Sequence, residues 1–119
     1  NDVMKARLPQ GMGGGAPSNM NQMIRQAQKM QEAMEKAQEE LNAKEYEATA
    51  GGGMVAVTVS GKKEVTKVTI KPEVVDPEDV EILEDMIAGA VNEALRAAEA
   101  DSQQVMGAIT GGMRAPGLM

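Results

Sequence analysis

Few residues in this sequence have side chains that support catalysis. The 119 residues include no cysteine and no histidine, which removes thiolate nucleophiles, the usual general base at neutral pH and the commonest metal ligand. Two carboxylate pairs, Glu78 with Asp79 and Glu84 with Asp85, could act as acid and base only inside a sheltered pocket. We interpret them instead as solvated residues on an exposed helix face. The sequence therefore predicts no enzyme, no metal site and no cofactor.

Glycines flank the clearest predicted strand, but their pattern does not fit a phosphate-binding loop. A P-loop needs a glycine-rich turn that enters a helix and ends in Gly-Lys-Ser or Gly-Lys-Thr. Here the glycines at 51–53 lead into a strand, and Gly61 and Lys62 are followed by Lys63. We interpret 51–53 as a flexible hairpin or a bulge. No small-molecule substrate is expected.

Charged residues are distributed unevenly along the chain. With 18 acidic and 12 basic residues the formal net charge is −6, which argues against a simple DNA-binding protein. However, lysines outnumber glutamates over 45–71, whereas Arg96 is the only cation from 76 to 101. An acidic protein with this asymmetry can still present a basic face.

Two groups of cations could contact phosphates, because phosphate binding needs little more than positive charge. The candidate DNA-binding residues are Arg25, Lys29 and Lys36 on a predicted helix, and Lys62, Lys63 and Lys67 on a predicted hairpin and the strand after it. Aromatic residues make up 1% of the chain, which disfavours base stacking on single strands. Duplex DNA held by its backbone is the favoured ligand. For each of the three helix cations alone, the alternative is a solvated helix face, with Lys29 and Lys36 paired to nearby glutamates.

A long first helix must position the first group of cations. Apolar residues recur every seven residues at two heptad positions. The first position is occupied by Met20, Ala27, Met34 and Leu41. The second, three residues later, is occupied by Met23, Met30 and Ala37. This pattern predicts a helix over 20–41 that packs along another helix, with Ser18 or Asn19 as its N-cap. Residues 1–18 contain Gly13–15 and Pro17 and are predicted to be a flexible arm.

Three short segments are then predicted to be strands, at 45–50, 54–60 and 65–70. The glycines at 51–53 and a tight turn at Gly61 and Lys62 are predicted to join them in an antiparallel meander. Neither face of the second strand carries a charge, so both faces are expected to be covered. A second copy of the chain is the economical cover for one of them. The residues expected at this dimer interface are Met54, Val55, Val57, Val59 and Val65.

A second helix is predicted to start at Asp76 as N-cap, with Pro77 in the first helical position. It carries an apolar stripe and ends near residue 106, and the glycine-rich residues 107–119 are predicted to be a flexible tail. The sequence thus predicts one α+β domain over 19–106, an α-β-β-β-α unit. No apolar run approaches the roughly 18 residues of a membrane span.

Four segments carry a family resemblance: MIRQAQKMQ at 23–31, AGGGMV at 50–55, VTVSG at 57–61 and VDPEDVEILED at 75–85. They resemble, in the same order, the YbaB/EbfC family of bacterial nucleoid-associated proteins, and the likeness extends over roughly 19–113. The resemblance implies a homodimer joined through the sheets, with helices that project like the arms of tweezers. It also implies a cytoplasmic protein at the nucleoid that binds double-stranded DNA, bends or compacts it and influences gene expression.

The sequence leaves two hypotheses for function. The first is a dimeric, largely sequence-tolerant DNA-binding protein whose cations contact phosphates. The second is a protein-interaction module that uses the methionine-rich seam of the first helix or the acidic second helix, since methionine is common at adaptable binding surfaces. Binding to DNA or to a stoichiometric protein partner would distinguish them.

Overall fold

A computed structural model describes residues 2–118 of the chain, and the side chains of residues 19–111. The elements are α1 (Asp2–Asn42), β1 (Glu45–Ala50), β2 (Val55–Ser60), β3 (Val65–Ile70), a short 3₁₀ helix (Pro72–Val74) and α2 (Val80–Leu118). The predicted α-β-β-β-α order is confirmed. The chain divides into two compact units, Asn1–Met34 and Glu35–Met119. No helix in the described part of the chain is long and apolar enough to cross a membrane.

The three strands form an antiparallel sheet in the order β1-β2-β3, as the meander predicts. Alternation along β2 places its valines on one face, and that face packs against α2. The fully buried residues of this contact are Val55, Val57 and Val59 on β2, and Ala90 and Ala94 on α2. Since alanine has the smallest apolar side chain, it lets the helix axis approach the sheet closely, and the bulk of the core comes from the valines.

Both helices differ from the prediction at their ends. Asp76 closes a turn before α2, because the Glu78 N–H donates to Asp76 Oδ1 (2.9 Å) and the Asp79 N–H to the Asp76 carbonyl (2.9 Å). The helix therefore begins at Val80, three residues after Pro77. In α1, Asn19 is already helical, so it is not the N-cap.

At its other end, α2 continues through 107–111, where the sequence predicted the start of a tail. There the Thr110 hydroxyl donates to the Met106 carbonyl (3.1 Å) within the helix. The predicted arm, including Ser18, and the rest of the predicted tail lie outside the residues whose side chains are described, and both stay predictions.

Three of the five residues predicted at the dimer interface are covered within the chain itself. Val55, Val57 and Val59 have no exposed surface, because α2 of the same chain covers their face of the sheet. A second copy has nothing left to bury there. Met54 is half-buried and Val65 is exposed, so these two remain available to a partner.

The edge strand β3 is only partly covered. α2 packs against β1 and β2, while Val65 and Val68 on β3 are 47% and 43% exposed. Val68 pairs with Val57, and residues directly opposite in an antiparallel pair share a face. A register shift near Val59 also brings Val65 opposite it, which interrupts the regular alternation of faces along β3. An apolar strip on the helix-bearing face of the sheet is thus left open.

Candidate nucleic-acid interface

The first group of predicted cations divides between the two units of the chain. In the unit Asn1–Met34, Arg25 and Lys29 lie one helical turn apart on α1 and are both exposed. Asn19, Gln22 and Gln26 line the same side of the helix. Neither cation forms an ion pair with any side chain described in residues 19–111. The two positive charges are therefore free for an external anion, with amide donors beside them that can also bind phosphate oxygens.

The unit Glu35–Met119 holds the other predicted cations. Lys36 is exposed on α1, and Lys62 is exposed in the turn between β2 and β3. Lys67 pairs with Thr58 and so lies on the face of the sheet that points away from α2. Among the described side chains none of these three lysines has an ion-pair partner.

Lys63 adopts an unusual backbone conformation, with φ = 66°. The turn around it is fixed by two backbone hydrogen bonds of 2.8 Å, from the Ser60 N–H to the Glu64 carbonyl and from the Lys63 N–H to the Ser60 carbonyl. A side chain in this left-handed region costs about 1 kcal/mol or more relative to glycine. The chain thus holds a lysine at a position where glycine would be less strained.

That charge is engaged inside the chain. Lys63 Nζ lies 2.8 Å from Glu99 Oε1 on α2, and Gln103 Nε2 donates to the other carboxylate oxygen (2.9 Å). Hydrogen bonds from Lys63 and then from Gln103 lower the pKa of the Glu99 carboxyl. Lys63, predicted as a DNA contact, is therefore already paired with an anion.

A second lysine, which the sequence did not single out, is held in the same way. Lys44 Nζ lies 2.8 Å from Asp101 Oδ2, and Tyr46 Oη donates to the same oxygen (2.6 Å). The hydrogen bonds from Lys44 and Tyr46 lower the pKa of Asp101. Because the Gly61 N–H donates to the Lys44 carbonyl (3.0 Å), this network lies beside the β2–β3 turn.

The structure thus brings Lys44, Lys62 and Lys63 to one end of the sheet. Two of these three lysines are paired with α2, and Lys62 is not. Sequence reasoning missed Lys44 because its partner is 57 residues away, and no local spacing connects the two. Exposed lysines are point charges without the forked geometry that reads bases. The arrangement therefore suits sequence-tolerant contact with phosphates.

Tyr46 gives a pH-dependent signature of this network. Burial, and then its hydrogen bond to Asp101, raise the pKa of Tyr46 from about 10 to about 12. The chain has one tyrosine and no tryptophan, so the ultraviolet absorbance of the phenolate reports this residue alone. We expect a midpoint near pH 12 in the folded protein. The pKa of Tyr46 is higher in the folded state than in the unfolded state. The contribution of Tyr46 to the free energy of unfolding is therefore complete below about pH 10 and is lost as the pH rises through about 12.

Asp101→Asn is expected to lower this midpoint part of the way, since burial remains. Glu47→Gln is the control, because it removes a carboxylate from the opposite face of β1. A midpoint near the ordinary value in the unmodified protein would contradict the network.

Comparisons with known proteins are consistent with these features. The YbaB/EbfC DNA-binding family matches residues 15–113. A nucleoid-associated protein of Alkaliphilus metalliredigens is 63% identical over 105 residues, which cover 88% of this chain and 91% of that protein. One from Clostridium acetobutylicum is 57% identical over 108 residues, covering 91% and 94%.

A crystal structure supports the fold at lower sequence identity. An uncharacterized protein from Helicobacter pylori superposes with a TM-score of 0.57 at 23% identity, over 66% of this chain and 92% of that chain. Together with the close relatives, the match along most of the sequence confirms the resemblance carried by its four segments. The chain belongs to the YbaB/EbfC DNA-binding family of nucleoid-associated proteins.

Proposed function

We propose that this protein binds double-stranded DNA as a homodimer, mainly through phosphate contacts, and that it bends or compacts DNA at the nucleoid in the cytoplasm and so influences gene expression. The observation that carries the proposal is a set of exposed cations that have no ion-pair partner among the described side chains. Five of these six cations are predicted contacts, namely Arg25, Lys29, Lys36, Lys62 and Lys67, and the sixth is Lys71. Nine of the 18 acidic residues lie on α2 and the turn before it, and another four, Glu32, Glu35, Glu39 and Glu40, lie on α1.

Each of these cations can release a condensed counterion from DNA when it contacts a phosphate. The logarithm of the binding constant then falls with the logarithm of salt concentration by about 0.9 per contact. Such binding is strong only when several contacts act together, so a dimer that doubles the set would bind much more tightly than one copy. The overall charge of −6 repels DNA and lowers the affinity. Low salt would therefore be needed to detect weak binding.

A second copy is proposed to pair along β3. This strand is a sheet edge, and edge strands offer unpaired backbone groups to a partner. Its exposed Val65 and Val68 would be covered at the same time, which removes an apolar strip from water. The other edge strand, β1, exposes less apolar surface to a partner, because α2 already covers its apolar face.

Val68→Glu is therefore expected to shift the protein from dimer to monomer, since it places a charge in the middle of the proposed contact. Sedimentation equilibrium measures the effect. Val75→Glu is the matched control, because Val75 is also an exposed valine (54%, against 43% for Val68) and lies outside the sheet. If the Val68→Glu variant remained a dimer, the interface would not lie along β3.

The function is tested by fluorescence anisotropy of a labelled DNA duplex titrated with the protein at several salt concentrations, with the dimer state checked alongside. We expect binding that weakens steeply with salt and changes little with sequence. No binding even at low salt would overturn the proposal.

A second candidate function is a protein-interaction module. It is favoured by Met20, Met23 and Ile24, which expose more than half of their surface on α1, and methionine adapts well to varied partners. An affinity pull-down that recovers one protein stoichiometrically and no DNA would support this alternative.

A further inference from the structure

We propose that Glu99 on α2 competes with DNA phosphates for Lys63, so that DNA affinity is limited by the exchange of an internal carboxylate for a phosphate. This inference rests on the DNA-binding function proposed above and adds a residue that weakens the same interaction. Glu99 is distant in sequence from every predicted contact, and its negative charge would reduce the affinity for DNA.

The geometry gives Glu99 a fixed position. One carboxylate oxygen accepts from Lys63 Nζ at 2.8 Å, and the other accepts from Gln103 Nε2 at 2.9 Å. Gln103 lies one turn further along the same helix. The carboxylate is thus directed toward the β2–β3 turn by two hydrogen bonds, one of them from its own helix.

Lys63 is restrained from the other side. Its backbone occupies the left-handed region within a turn closed by hydrogen bonds to Ser60 and Glu64. The Cα–Cβ bond of Lys63 therefore leaves the turn in a set direction, and the side chain reaches Glu99 from there. The neighbouring Lys44 repeats the arrangement with Asp101, which Tyr46 holds in place.

The pair is open enough to exchange. The side chains of Lys63 and Glu99 are 41% and 49% exposed, and exposed ion pairs are weak in water. Duplex DNA presents a dense line of phosphates, which can take over the lysine. Glu99 then loses its ion-pair partner, and the loss of that ion pair is the cost of the exchange.

The direct test is Glu99→Gln, which removes the charge and keeps a side chain of the same size. We expect DNA affinity at low salt to rise about two- to fivefold per copy, which corresponds to the strength of one exposed ion pair. The salt slope is expected to change little, because the exchange already places Lys63 on a phosphate in the unmodified protein. Fluorescence anisotropy measures both quantities, and the thermal midpoint checks that the variant is folded.

Glu93→Gln is the matched control. It removes the same charge from the same helix, but Glu93 pairs only with Arg96 on its own helix (3.5 Å) among the described residues. Equal gains in the two variants would mean that net charge alone sets affinity, and would overturn the proposal. No gain in Glu99→Gln would also overturn it while leaving the DNA-binding function intact.

A double-mutant cycle with Lys63→Met completes the experiment. If Glu99 acts through Lys63, its replacement has no effect once Lys63 is gone. A gain that persists in the double variant would show that Glu99 acts on DNA directly and not through this lysine. Absence of DNA binding in all variants at low salt would overturn the DNA-binding function itself, and the present inference with it.

Discussion

Replacing Arg25 and Lys29 together by glutamate is expected to weaken binding to a DNA duplex by about 100-fold at low salt. Each copy loses two phosphate contacts and gains two repulsive charges, so the salt slope falls by about 1.8 per copy. Both residues are exposed and have no ion-pair partner among the described side chains, so their replacement breaks no internal pair. Anisotropy titrations over a range of salt concentrations measure the affinity and the slope together.

The matched control reverses two other cations, Lys71 and Arg96, to glutamate. This variant has the same net charge, but neither residue is proposed to contact DNA. It should lose much less affinity, by long-range repulsion only. If the two variants lost the same affinity, the positions of Arg25 and Lys29 on α1 would not matter, and the proposed contact surface would be wrong.

Gly61→Ala is expected to destabilise the protein by about 3 kcal/mol, at the upper end of the range for overpacked sites. A Cβ at this position would overlap the carbonyl oxygen of Leu41 and lie 2.5 Å from its carbonyl carbon. Leu41 is itself 2% exposed, and the Gly61 N–H donates to the Lys44 carbonyl. The clash is with backbone at the end of α1, which cannot rotate away as a side chain could. Urea denaturation followed by circular dichroism measures the loss.

Gly89→Ala serves as the comparison for this variant. Gly89 lies within α2, and a Cβ there meets no atom within 4 Å in the described residues. Alanine is a better helix former, so this variant is expected to gain up to about 1 kcal/mol. An unfolding midpoint for Gly61→Ala equal to that of the unmodified protein would mean that the β2–β3 turn does not lie against Leu41 as described.

The strands could be predicted from sequence because their signals are local. Alternating valines define β2, and glycines or a proline mark the strand ends. For β3 and β1 the predicted bounds agree with the structure, and β2 differs by one residue, since Met54 belongs to the turn. Helix ends were less predictable. Asp76 and Pro77 form a turn that looks like a helix start in sequence, and only the backbone hydrogen bonds around Asp76 distinguish the two.

The sequence could not show which face of β2 is covered by α2, because neither face of the strand carries a charge. The valine face and the face of Ala56 and Thr58 are both uncharged, so the sequence assigned Val55, Val57 and Val59 to a partner subunit. The structure gives them to α2, because they carry more apolar surface to bury. The ion pairs of Lys44 and Lys63 join residues far apart in sequence, so their partners on α2 depend on how the helix docks and no spacing rule reveals them.

The alanine-lined contact between α2 and β2 also restricts how this gene can change. A single base change turns an alanine codon into one for valine, threonine, serine, glycine, proline, aspartate or glutamate. At Ala90 or Ala94, which have no exposed surface, most of these add atoms where no space exists. The acidic ones bury a charge, proline breaks the helix, and glycine weakens it. Sequence drift is thus expected to avoid this contact and to accumulate on exposed surfaces.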